Sequence, residues 1–114
     1  MSADNAWPSG PVNVTDDEFQ DFIKKYPRVI IDCWATWCGP CQRLGPVLDK
    51  IASAYQGKVV IGKMNTDENQ KVPMSFGIQS IPTLLFFKNG ELVDKSIGAP
   101  PEPVLEAKIK EFIA

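Results

Sequence analysis

The chain contains no histidine, and only three of its 114 residues are cysteine. Without an imidazole there is no cysteine–histidine pair for nucleophilic hydrolysis, and the commonest ligand of zinc and haem iron is missing. Glycines do not gather into a phosphate-cradling loop: Gly39 and Gly45 stand alone, without the further glycines of a nucleotide fingerprint. Apolar runs are short, so no stretch is long enough to span a bilayer. The 12 Lys and Arg are scattered and outnumbered by 14 Asp and Glu, for a net charge of −2. Such a surface attracts neither nucleic acid nor an anionic membrane. Three cysteines cannot build a paired disulfide framework, and the N-terminus shows neither a basic nor an apolar signal region. The expectation is a cytoplasmic chain with no metal and no bound cofactor, drawing any reducing equivalents from another protein.

What is present reads as one α/β domain, because 114 residues can close a core without disulfide staples. Residues 1–11 are polar and dotted with proline, a flexible leader with Trp7 as a packing anchor; residues 12–114 form the domain. Val12-Asn13-Val14 is a strand, and Thr15 with Glu18 forms a capping box ahead of Phe19, Phe22 and Ile23 at helical spacing. That helix stops at Tyr26-Pro27. Val29 to Trp34 is apolar throughout apart from Asp32, as a strand covered on both faces should be. A helix runs from about Pro40 to Tyr55, kinked at Pro46. Lys58 to Met64 is the third strand, Asp67 to Ser75 a short helix and Pro82 to Phe87 the fourth strand. Asn89-Gly90 turns into an antiparallel Glu91 to Ile97, and Pro101 to Ile113 closes the chain as a helix. The order predicts a central mixed five-stranded sheet flanked by about four helices.

Trp37-Cys38-Gly39-Pro40-Cys41 sits where the buried strand gives way to the long helix. Residues i and i+3 in a first helical turn lie on one side, about 5–6 Å apart, close to what a disulfide needs. Unpaired N–H groups and the helix dipole favour a thiolate on the first sulfur. Cys38 is therefore the nucleophile and Cys41 the resolving thiol. Metal is the rival reading, but zinc normally takes four ligands and the only further cysteine is Cys33. Gly39-Pro40 fits a helix start, since proline there loses no hydrogen bond.

Asp32 is an acid on a strand that otherwise reads as buried. It is either an acid paired with a lysine such as Lys63 or a proton acceptor for Cys41, raised in pKa by desolvation. Pro82, from its own residues, reads as an ordinary trans proline at a strand start.

Asp32-Cys33-Trp34-Ala35, Trp37-Cys38-Gly39-Pro40-Cys41, Ser80-Ile81-Pro82-Thr83 and Lys88-Asn89-Gly90 resemble the thioredoxin family in content, order and spacing, from about Val12 to the C-terminus. The resemblance implies the thioredoxin fold and a protein-disulfide reductase working by dithiol–disulfide exchange. It implies Asp32 as proton acceptor, Lys63 as its tuning neighbour, and a reducing poise set by Gly39 and Pro40. It also implies that Pro82 is cis and positions substrate, with Trp37, Ile81, Gly98 and Ala99 as the apolar substrate-binding rim. The partners implied are protein disulfides and a separate reductase, flavin- or ferredoxin-dependent, acting on a monomer. A thioredoxin-like docking subunit for one specific partner, with redox as a switch, is the alternative. Three features depart from the family. Cys33 replaces an aromatic and reads as packing, Gln42 replaces a basic residue that would draw acidic partners, and Pro100, Pro101 and Pro103 alter the approach to the last helix.

Overall fold

A computed structural model describes residues 7–114. The expected leader thus falls largely outside the described residues. Trp7 packs edge-on against Tyr26 at 5.4 Å, and its carbonyl accepts a 2.8 Å hydrogen bond from Gln56 Nε2.

The elements are β1 (Val12–Asn13), α1 (Phe19–Lys25), β2 (Arg28–Trp34), α2 (Gly39–Ala54), β3 (Val60–Asn65), α3 (Lys71–Ser75), β4 (Thr83–Lys88), β5 (Glu91–Ile97) and α4 (Glu102–Ile113). The five strands form one mixed sheet in the order β1-β3-β2-β4-β5. β1, β3 and β2 run parallel, while β4 is antiparallel to both β2 and β5. β2 is the middle strand, buried from Val29 to Cys33.

Strand alternation then sorts the core into two clusters. Val29, Ile31 and Cys33 face α1 and α3, meeting Phe19, Ile23 and Val72. Ile30 faces α2 and α4, meeting Leu44, Leu48, Leu105 and Ile109. Asp32, two residues beyond Ile30, belongs by the same alternation to the α2 face. The sheet is packed tightly at Gly62, where a Cβ would come within 2.8 Å of Ile31 Cδ1.

Several boundaries shift from expectation for local reasons. Thr15 and Glu18 do exchange capping-box hydrogen bonds, at 3.0 and 3.3 Å, but they close a turn and the helix proper begins at Phe19. β3 starts at Val60 rather than Lys58, because the N–H groups of Lys58 and Val59 are spent on Tyr55 O at the end of α2. α3 starts at Lys71 rather than Asp67. Asn65 holds residues 65–69 in a turn, and Asp16 then caps α3 from across the chain, accepting from Lys71 N and Val72 N. Helix α2 runs on through Pro46, whose missing N–H leaves Gln42 O without its helical partner.

Candidate active site

β2 delivers the chain to residues 35–38, and α2 carries it away, so the tip of α2 sits over the end of the central strand. Cys38 is the N-cap of α2, with Pro40 in the first turn. The first N–H groups of a helix have no intrahelical acceptor. Here Cys38 Sγ takes one of them, accepting from Cys41 N at 3.3 Å. Cys38 and Cys41 form a disulfide with their Cα atoms 5.3 Å apart. Both are 5% exposed and pack with Ala35 against Trp34 and Ile81.

The Ile81–Pro82 peptide bond is cis. Ile81 O lies 3.7 Å from Cys38 Sγ and would accept from that sulfur as a thiol. Pro82 O receives the Gly98 N–H at 2.8 Å, which ties the end of β5 to the start of β4.

Asp32 is 1% exposed and lies in register with Lys63 on one side and Leu84 on the other. Burial pushes its carboxyl from the ordinary 3.8 up to about 7, although the Lys63 ammonium pulls the other way. Asp32 Oδ1 meets no hydrogen-bond partner among the described residues, so no hydrogen bond there offsets the cost of burying the charge. The Lys63 Nζ also stands 4.5 Å over the Trp34 ring. Lys63 thus moderates Asp32 without neutralising it.

The expected rim separates into two sides. Trp37, 69% exposed, and Ile81 line a cleft of about 400 Å³ together with Pro73, Ile78 and Gln79. Ala99 lines a different cleft, beside α2, and Gly98 lines neither of these two clefts. The sequence reading missed Asp67, whose carboxylate accepts the Trp37 Nε1 hydrogen bond at 3.0 Å and fixes the indole. Nothing local could have revealed a pair 30 residues apart. It also missed Ile78, Gln79 and Ser80, which the neighbouring Ile81-Pro82 could have signalled. Among the described residues no cluster of His, Cys, Asp or Glu could hold a metal ion, and no helix is long and apolar enough to cross a membrane.

A helix-tip disulfide, with a buried acid of raised pKa on the sheet face that α2 covers, is equipped to accept and donate a pair of electrons. Comparison with known proteins agrees. The family model for thioredoxin matches residues 10–111. A thioredoxin of Chlorobaculum thiosulfatiphilum is 45% identical over 100 residues, covering 87% of this chain and 93% of that one. Thioredoxin 1 of a Nostoc species is 43% identical over 106 residues, covering 92% and 99%. Among solved structures, a mutant thioredoxin from Halobacterium salinarum shares the fold at a TM-score of 0.87 and 32% identity, over 95% of each chain.

Proposed function

Because this chain belongs to the thioredoxin family and is a dithiol–disulfide oxidoreductase, we propose that Cys38 attacks, Cys41 resolves and Asp32 accepts the proton of Cys41. Its substrates are protein disulfides, and a partner reductase returns its own disulfide to the dithiol. The Cys38 thiolate attacks one sulfur of a target disulfide. A mixed disulfide forms, and the target's other sulfur leaves as a thiolate that takes a proton from solvent. Cys41 then gives its proton to the Asp32 carboxylate and attacks Cys38 Sγ. The mixed disulfide breaks, the target departs reduced by two electrons, and Cys38–Cys41 closes.

The observation that carries this assignment is the N–H of Cys41 directed at Cys38 Sγ. It favours negative charge on the outer sulfur while holding the inner one a turn away. Trp37 and Ile81 on one side, with Gly98 and Ala99 on the other, form the apolar rim that receives an extended target segment, and Gly39 and Pro40 keep the tip in its helical start. Lys63 sets how far burial raises Asp32.

We assign the recycling step to a flavin- or ferredoxin-dependent reductase, and the working form to a monomer, since both core clusters are filled from within the described chain. A buried free thiol at Cys33 and a dithiol that must stay reducible suit the cytoplasm. The test is insulin reduction with dithiothreitol. The wild type accelerates precipitation of the insulin B chain, Cys38→Ser does not, and Cys41→Ser accumulates a mixed disulfide visible by non-reducing mass analysis. Loss of turnover in neither cysteine variant would defeat the assignment.

A further inference from the structure

α2 presents Arg43, Val47 and Lys50 at i, i+4 and i+7, a single stripe of the helix. That stripe faces the segment joining β5 to α4. At its far end Lys50 Nζ meets Glu102 Oε2 at 2.8 Å. In its middle, Val47 and Leu44 form a cleft of about 250 Å³ with Ala99, Pro100 and Pro101. At the end nearest the dithiol, Arg43 borders the same cleft and makes no ion pair among the described residues. The wall opposite it offers no charge, and its prolines offer no N–H. The nearest acid on that wall, Glu102, is already engaged by Lys50.

We propose that the cleft beside Arg43 docks an acidic segment of the protein being reduced, a carboxylate flanking the attacked disulfide, so that Arg43 determines which protein disulfides are taken fastest. The proposal rests on the disulfide-reductase reading above. Its geometry follows from the helix: Arg43 is five residues from Cys38, about 8 Å along the axis of α2. An extended segment advances about 3.3 Å per residue, so a residue two or three positions from the attacked cysteine reaches the guanidinium. The apolar floor of the cleft keeps water from one side of the pair, which strengthens it relative to a fully solvated one. The other flank of the helix tip cannot substitute: Gln42 carries no charge, and its amide is held by Thr36 O at 2.6 Å. The expected lack of attraction for acidic partners at Gln42 is thus answered one residue later, about 100° around the helix. With a net charge of −2 the chain has no general pull on acidic proteins, so selection is local.

The experiment uses synthetic peptides with one internal disulfide, carrying Glu or Gln at each of the first few positions flanking the attacked cysteine. The readout is the Glu-to-Gln ratio of kcat/KM within each protein, which cancels any general loss of activity. The wild type should show a ratio of about threefold to fivefold at one position in low salt, falling to one at about 1 M salt. Arg43→Gln should give a ratio of one, and Arg43→Glu a ratio below one with preference for Lys at that position. A wild-type ratio of one at every position, or a ratio that persists in Arg43→Gln, overturns the proposal. A wild type that reduces neither peptide set overturns the reductase reading beneath it, a separate and distinguishable failure.

Discussion

Cys33 and Cys38 lie five residues apart, and both are almost wholly removed from solvent. Their chemistry is nonetheless opposite. Cys33 is in mid-ladder on β2, paired in register with Met64 and Thr83. Backbone donors along the ladder are committed to neighbouring strands. Burial, and then the Asp32 charge, push its thiol up to about 12. Cys38 stands where a helix begins, and a free N–H reaches its sulfur. Burial by itself therefore does not distinguish the two sulfurs. What separates the two sulfurs is whether an uncommitted backbone donor points at them.

The sharpest way to break this contrast is to label the reduced, folded protein with iodoacetamide at neutral pH. Mass analysis should find Cys38 alkylated first and Cys33 untouched until denaturant is added. In parallel, Cys38→Ser should bring disulfide turnover down to the buffer background, the largest effect expected of any substitution. Comparable labelling of Cys33 in the native state would remove the distinction.

Asp32 sharpens the contrast from the acid's side, since the carboxylate that raises the Cys33 thiol is the one proposed to take the proton of Cys41. In the role assigned to it, Asp32→Asn should slow release of the reduced target by about 10², the usual scale for a positioned base. In the wild type that rate should rise as pH passes about 7, where Asp32 ionises. In the variant this inflection should disappear. A single-turnover assay stopped at intervals reads both.

The same group makes a stability prediction of definite sign. Its folded pKa of about 7 exceeds the unfolded 3.8, so the native state holds the proton more tightly. Ionised Asp32 therefore costs nothing below about pH 3.8, costs progressively more up to about pH 7, and is constant above that. Three pKa units correspond to about 4 kcal/mol, an upper limit for the gain in Asp32→Asn at alkaline pH. Denaturant titration of both reduced proteins at acid and neutral pH should show the curves separating as pH rises. A gap that narrows instead would mean the carboxylate is stabilised in the fold.

Much of this arrangement is legible in the chain itself. The apolar run from Val29 gave the central strand, and Asp32 stood out because it interrupts that run. Asn89-Gly90 foretold the hairpin through backbone demand: both residues have positive φ, at 52° and 82°. Cys38 and Cys41 could be read together because their spacing is a helical turn. What escaped was set by contacts between distant segments. Asp16 caps α3 from 55 and 56 residues away, so the start of that helix could not be inferred from its own residues. Asp67 fixes Trp37 from 30 residues away. Arg43 and Lys50 also went unread, because only the packed segment after β5 shows that Lys50 has an acid while Arg43 has none among the described residues.

The smallest expected effect tests Cys33 itself. It sits with Val29, Ile31, Met64 and Leu85 in the cluster facing α1 and α3, away from the α2 face that carries Asp32 and the dithiol. If its part is to fill that space, Cys33→Val replaces a small soft side chain with one of similar bulk and no polar atom. Such swaps usually cost less than about 1.5 kcal/mol. Turnover, and the pH at which release of the reduced target begins to rise, should both stay where they are in the wild type. A shift in that pH would show that the sulfur influences Asp32 as well as being influenced by it. The two cysteines would then be coupled through the acid between them, and the separation drawn from their backbone surroundings would fail at that point.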